Sequence, residues 1–314
     1  MNDKTLKPVD MVTPLTSDLS DKYRITDEYT NEQYHALDSI SKSGLDLIAK
    51  SPAHFKQRAR SINPKTASFG TAFHAKILEG GAGMLVGPNI KRSSKVDKAA
   101  WDAWFQKHGA TKPIATEGKA ETWNPEFEKQ TGTAVVTASE YDDVMMMVEA
   151  VEANEQASEL LHMAGAAELS ILGSINGVDA RCRPDYRSGD GNVLVDLKSC
   201  KDSSARGFAR SCADYRYHVQ DAFYSELASE YSTRWPEFYF IAVQSAAPYT
   251  CAVYQLSEEA KENGNYLMMR DLNTYKRCLE SNKWPGHEND MNLSIPIYTP
   301  ETFEYDLGDE VLTV

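Results

Sequence analysis

The sequence predicts an α/β core preceded by a helical part, on three observations. Apolar residues recur at helical spacing up to about residue 161. From residue 168 the texture changes to short apolar runs broken by turn residues, with Asn176-Gly177 as a tight hairpin turn. A helix, two strands and a long helix then follow, which is the order of a layered α/β domain. The 314 residues are 41% hydrophobic and 25% charged, values of an ordinary globular chain that exclude collagen, coiled coil and wholesale disorder.

Residues 1–30 are polar, carry Pro8 and Pro14 and show no sustained periodicity, so they read as a flexible arm. Ser43 is placed to cap a helix running to about Arg60, with Leu45, Ile48, Ala49 and Phe55 on one face and a break at Pro52. Thr66 to Glu79 is a second helix, ended by Gly80. Gly80 to Gly87 is Gly-rich but lacks the Lys-Ser/Thr of a phosphate loop, and reads as a plain loop. Asp97 to His108 is a third helix, and Ser139 to about Leu161 a fourth, interrupted near Asn154. Glu168–Ser174, Val178–Arg187 and Asn192–Ser199 are three strands of a meander. Tyr217 to Tyr231 is helical, Glu237–Gln244 and Tyr249–Gln255 are strands, and Ser257 caps a long helix to Ser281. This organisation gives one domain over residues 31–285, helical to about 163 and α/β from about 164, with an acidic tail over 286–314.

The net charge of −13 argues against a protein that coats nucleic acid or anionic membrane with its whole surface. Charge is uneven, however. Residues 41–78 hold seven Lys or Arg and one acid, residues 181–218 hold eight against five, and residues 284–314 hold seven acids and no Lys or Arg. The two basic segments suit a local groove, and the acidic end reads as surface. No run approaches the roughly 18 apolar residues of a membrane span, and the N-terminus lacks the apolar core of an export signal. Cys182, Cys200, Cys212, Cys251 and Cys278 are scattered, without the spacing of a disulfide framework or metal cluster. A cytoplasmic, reduced protein with no membrane contact is expected.

Candidate chemistry centres on the third strand. Alternation over Asn192–Lys198 puts Val193, Val195 and Leu197 on one side and Leu194, Asp196 and Lys198 on the other. On the preceding strand Arg181, Arg183 and Asp185 share a face, and the short connection brings Asp185 beside Asp196. Neighbouring carboxylates repel unless a cation lies between them, and oxygen ligands suit Mg²⁺. Lys198 then orients or activates an attacking water or stabilises charge on a phosphate, a set suited to phosphodiester cleavage. Glu168, at the start of the first strand, is placed to bond a water on the metal. Gln220 and Tyr224, four apart on one helix face, are placed to touch substrate or support the lysine. Taken singly, D-x-K is more often an edge-strand surface pair, and His74, on a stripe with Ile77 and Leu78, a core or boundary histidine.

The ordered set is more specific. Pro184-Asp185, Asp196-Leu197-Lys198 and Gln220-x-x-x-Tyr224 together resemble the PD-(D/E)xK nuclease signature with the Q-x-x-x-Y helix of its RecB-like branch. The chain is also similar to RecE-type exonucleases over Tyr34-His35-Ala36-Leu37, Ser41-Lys42-Ser43-Gly44-Leu45, Ser51-Pro52-Ala53-His54-Phe55, Phe69-Gly70-Thr71-Ala72-Phe73-His74 and Glu168-Leu169-Ser170. The resemblance implies a restriction-endonuclease-like core, a mixed sheet flanked by helices. It implies Mg²⁺-dependent degradation of linear double-stranded DNA from its ends, 5′→3′, leaving 3′ overhangs for recombination by a RecT-like single-strand annealing partner. A ring-shaped homo-oligomer, a tetramer, with a bacterial or phage source is implied too.

Carried over by position, the resemblance makes His74, Asp185 and Asp196 metal ligands, with the Leu197 carbonyl adding one. Lys198 is then the catalytic lysine, Glu168 assists through a water on the metal, and Gln220 and Tyr224 support. Histidine is unusual for Mg²⁺, so Mn²⁺ is expected to substitute. Arg181, Arg183, Arg206, Arg210 and Arg216 are candidate phosphate contacts. RecE enzymes can carry a long region before the nuclease, and the short arm here suggests a stand-alone enzyme. The alternatives are an endonuclease of the same superfamily, which would cut closed circles, and a non-catalytic DNA-end binding protein, which would need a broken site.

Overall fold

The computed structural model describes residues 23–57, 64–287, 304–306 and 311–313. Residues 1–22 of the expected arm, the predicted helix end at Arg58–Arg60 and most of the acidic tail lie outside them. Strand β1 (Arg24–Thr26) opens the described chain and pairs with a later strand, so this part of the expected arm belongs to a sheet. Helix α1 (Asn31–Ala36) is closed by a reciprocal capping box between Thr30 and Gln33. Next come α2 (Lys42–Lys50), α3 (Pro52–Gln57) and α4 (Pro64–Leu78). The cap of α2 is Ser41, whose hydroxyl accepts from the Gly44 amide at 3.3 Å, not Ser43. The predicted break falls at Pro52, the first residue of α3, where a missing N–H costs nothing.

The Gly-rich run is not only a loop. It contains β2 (Met84–Val86), which pairs in parallel with a strand some fifty residues on. Helices α5 (Lys95–Lys107) and α6 (Trp123–Thr131) then lead to that strand, β3 (Ala134–Val136). Trp101, Phe105, Trp123, Phe127 and Val135 pack into a small separate core here. Helices α7 (Ala138–Ala153) and α8 (Glu155–His162) are separated by Asn154, whose side chain accepts from the Ala157 amide and restarts the helix.

The meander is bent. Strands β4 (Gly165–Ala167) and β5 (Ser170–Ile175) are joined through Glu168, which has φ 54° and lies outside both, contrary to the strand expected over Glu168–Ser174. Strands β6 (Val178–Cys182) and β7 (Tyr186–Ser188) replace the single run predicted over Val178–Arg187. Pro184 cannot donate to a ladder, and pairing stops there. Thus β5 and β6 form a three-stranded sheet with β1, while β4 and β7 join a five-stranded sheet. A Glu168 N–H to Asp185 carbonyl bond of 3.1 Å ties the two bends together.

Strand β8 (Val193–Cys200) lies between β7 and β9 (Glu237–Gln244), antiparallel to the first and parallel to the second over eight residues. The parallel step needs a crossover. Helices α9 (Ala205–Asp214) and α10 (Tyr217–Ser229) supply it. Strand β10 (Cys251–Tyr254) closes that edge, and α11 (Glu258–Ser281) packs on α10. A short pair, β11 (Glu304–Asp306) and β12 (Val311–Thr313), lies in the tail. Alternation along β8 sends Leu194 into a core shared with α2, α10 and α11, and Val195 and Leu197 into a second core with α4, α7 and α8. The central strand is therefore sandwiched between helical layers, a mixed sheet flanked by helices as expected.

Candidate active site

Asp185 sits in the bend between β6 and β7, at the side of β8. Its Oδ2 accepts from the Leu197 amide at 2.6 Å, and its Oδ1 lies 3.5 Å from Nδ1 of His74 on α4. Asp196 points with Leu194 towards α10. One of its oxygens accepts from the Gln220 amide and the other meets the Lys198 ammonium. Two residues of one strand and one of the crossover helix are thereby locked together.

Burial works against every charge here, and the charges answer one another. Burial disfavours the His74 imidazolium, but Asp185 beside it outweighs that and lifts the group to about 9. Burial likewise opposes ionisation of Asp185, but His74, Lys198 and the Leu197 amide hold it below the usual carboxylate range. Asp196 is pushed up by burial and by Asp185. Lys198 is desolvated as well, yet Asp196, Tyr217 and Asp185 raise it, so it is a cation at neutral pH. Burial and the nearby Asp185 push Glu168 up to about 7.

The donors converge as a metal site would require. One ligand atom each from His74, Glu168 and Asp185 lies within 4.8 Å of the others. Without a metal the protonated His74 offsets the charge of Asp185; with His74 neutral, the two carboxylates and the imidazole form an N/O set that suits a divalent ion such as Mg²⁺ or Mn²⁺. The positive φ of Glu168 turns its side chain into this group. Sequence reasoning placed Glu168 farther out and Asp196 among the ligands, whereas here Glu168 stands with His74 and Asp185, and Asp196 is engaged by Gln220 and Lys198. Leu197 enters through its amide.

A cleft of about 680 Å³ opens over Glu168, Asp185, Asp196, Lys198 and Gln220 and is lined also by Tyr34, Lys42, Lys50, Arg183, Tyr215, Arg216, Tyr217 and Tyr224. Of the five arginines, Arg206 and Arg210 are exposed on α9. Arg181 is not available to phosphate, because it is buried and its guanidinium donates to the carbonyl of Leu37 and the hydroxyl of Ser39. The expected shared face with Arg183 and Asp185 fails because the strand ends at Cys182. Arg183 lines the cleft but donates to Ser170, Asn31 and the Tyr29 carbonyl and covers the Tyr34 ring. Arg216 is spent on Asp46 and Asp271. Tyr224 is half-buried at the cleft wall against Phe238.

Reasoning from sequence missed Lys42 and Tyr217. Lys42 donates to the Tyr215 carbonyl at 2.6 Å and pairs with Asp46 at 2.9 Å, and the Lys198 ammonium lies 4.5 Å from the Tyr217 ring centre. Their signals were faint: Lys42 sits inside one of the stretches that carry the resemblance, and Tyr217 opens the Gln220 helix.

A mixed sheet whose strand β8 carries Asp196 and Lys198, with Asp185 in the bend beside it, defines the PD-(D/E)xK nuclease class. The chain belongs to the family of PDDEXK-like domains of unknown function designated DUF3799, which matches residues 41–293. Among solved structures it is similar to a protein from Eubacterium rectale described as a "putative exonuclease", with TM-score 0.51 and 13% identity over 86% of this chain and 96% of that one. A second, SSO0001, aligns at TM-score 0.26 and 10% identity over 64% of this chain and 83% of that one, too distant to carry an argument. No curated protein matches the sequence.

Proposed function

We propose that this nuclease is a divalent-metal-dependent exonuclease that degrades linear double-stranded DNA 5′→3′ and leaves 3′ overhangs for single-strand annealing. The observation that carries the reading is the convergence of His74, Glu168 and Asp185, with Glu168 and Asp185 lining one cleft beside the Asp196–Lys198 pair. His74, Glu168 and Asp185 would hold the ion, with Asp196 and the Leu197 carbonyl completing the set. A bound divalent cation supplies Lewis-acid polarisation of a phosphate oxygen and offsets charge at the scissile group. Lys198, fixed as a cation by Asp196, faces the cleft and stabilises negative charge developing on the phosphate. Gln220 holds Asp196, so the lysine keeps one position.

Polarity, the 3′ overhang and the annealing partner of the RecT kind rest on the resemblance to RecE-type exonucleases. The description of the Eubacterium rectale neighbour is compatible with that reading. A homo-oligomeric ring, a tetramer, belongs to the same reading, and sedimentation equilibrium at micromolar chain concentration measures it. The main experiment is digestion of a linear duplex labelled separately at its 5′ and 3′ ends, with a closed circle as control, in Mg²⁺ and in EDTA. Early loss of the 5′ label in Mg²⁺ with an intact circle is expected. Cutting of the circle overturns the exonuclease reading in favour of an endonuclease, and DNA-end binding without hydrolysis in favour of a non-enzymatic role.

A further inference from the structure

Tyr215 exposes 63% of its surface at the rim of the catalytic cleft. Among the large exposed hydrophobic side chains of the described residues, it alone lines that cleft. Its ring is stacked on Tyr217, with centroids 5.7 Å apart and planes at 25°, and Tyr217 is stacked in the same way on Phe240 of the central sheet. The outer ring therefore rests on an aromatic column rooted in the core. The backbone under it is fixed as well. Arg216 takes φ 55°, a left-handed conformation disfavoured for a side chain with a Cβ. It is held there by ion pairs to Asp46 on α2 and Asp271 on α11. The Lys42 ammonium bonds the Tyr215 carbonyl at 2.6 Å.

A rigid, solvent-facing aromatic ring one residue removed from the ring that touches the catalytic lysine is built to receive another flat group. In a nuclease cleft that group is a nucleobase. Base–aromatic stacking is strong and indifferent to sequence, because every base has a π-face. Inside a duplex both faces of a base are covered by neighbouring pairs, and at a blunt end the one open face belongs to a base still tied to its partner, whereas an unpaired base is free to lie over a single ring. The cleft of about 680 Å³ below the ring has room for a nucleotide beside the Asp196–Lys198 pair.

Resting on the nuclease reading, we propose that Tyr215, backed by Tyr217, is a stacking platform for one base of an unpaired DNA end, and that it makes the enzyme prefer frayed or tailed ends to blunt ones. Arg216, expected from sequence to contact phosphate, instead presents the platform.

The test uses the full chain with three DNAs carrying 2-aminopurine at the terminal nucleotide: a single strand, a duplex with a short unpaired tail and a blunt duplex. Binding and 2-aminopurine emission are read in EDTA, and hydrolysis in Mg²⁺. The expected result is quenched emission on the single strand and tail with wild type and Tyr215→Phe, and relief of quenching with Tyr215→Ala. Tyr215→Ala should also lower the tailed-to-blunt affinity ratio by roughly 5- to 150-fold. Equal emission and an unchanged ratio in Tyr215→Ala overturn the proposal. So does a loss in Tyr215→Phe as large as in Tyr215→Ala, which would place the contact on the hydroxyl and not the ring. Absence of hydrolysis of all three DNAs counts against the nuclease reading, while the emission signal still decides the platform.

Discussion

Lys198 is held from two sides, by the Asp196 carboxylate and by the face of the Tyr217 ring. A cation so placed loses little rotamer freedom on engaging a phosphate, which is where positioned charges contribute most to catalysis. Lys198→Ala is expected to lower the rate of DNA hydrolysis by roughly 10²–10⁴-fold. Affinity for DNA in EDTA should change far less, and filter binding beside a steady-state assay separates the two effects. The arginines divide by surroundings. Arg206→Ala and Arg210→Ala are each expected to flatten the salt dependence of DNA binding by about one unit in log–log slope. Arg181→Ala should leave that slope alone and lower unfolding stability, because it removes a buried guanidinium that donates to the Leu37 carbonyl and the Ser39 hydroxyl, at about 1–3 kcal/mol. Salt titrations beside urea melts check all three.

Elements were legible where local chemistry decides them. Asn176 and Gly177 both adopt positive φ, 52° and 73°, as a tight hairpin turn demands, and the dipeptide announced it. Ser257 at the start of α11 and Asn154 between α7 and α8 were equally plain. Long-range decisions were not legible. The split of one predicted strand into β6 and β7 follows from Pro184, a signal present in the sequence but outweighed by the alternation of Val178, Ala180 and Cys182 before it. Helix α9 went unread because it buries only Phe208 and Cys212. The D-x-K strand and the Gln220 helix were readable from spacing, but the arrival of His74 and Glu168 beside Asp185 depends on the packing of α4 and on a bend that no periodicity encodes.

One element-scale prediction concerns α5 and the loop after it. Asp102 accepts from the amides of Ile114 and Ala115 at 2.7 Å each, and from the amide and hydroxyl of Thr116. Burial opposes its charge, but these donors outweigh burial and hold its pKa below the ordinary 3.8. A depressed folded pKa means that the stability it contributes is present above that ordinary value and is lost as pH falls through the folded one. Asp102→Asn should therefore cost about 1–3 kcal/mol at pH 7, with the difference from wild type shrinking in acid, as read by urea melts at pH 7 and pH 3.

At the scale of the whole molecule, the proposed ion site joins the helical half, through His74, to the α/β half, through Glu168 and Asp185. Binding of an ion there couples to global stability by mass action. Mg²⁺ or Mn²⁺ at about 100 times its dissociation constant should add about 2.7 kcal/mol to unfolding stability, and Asp185→Asn or His74→Ala should abolish that increment. Thermal melts with and without EDTA read it directly. Among the described residues no helix is long and apolar enough to cross a membrane.

The clasp at Arg216 has a further consequence, one of timing. Its two carboxylates come from opposite ends of the chain, Asp46 near the start and Asp271 near the finish. During synthesis Asp185, Asp196 and Lys198 leave the ribosome well before Asp271 does. A nascent chain thus holds the residues proposed for cutting before it holds the anchor that fixes the rim of the cleft, and α11 finishes the site last. Chains cut short before Asp271 would carry the D-x-K strand with Arg216 short of one of its two carboxylates, so the rim of the cleft is secured only once α11 docks.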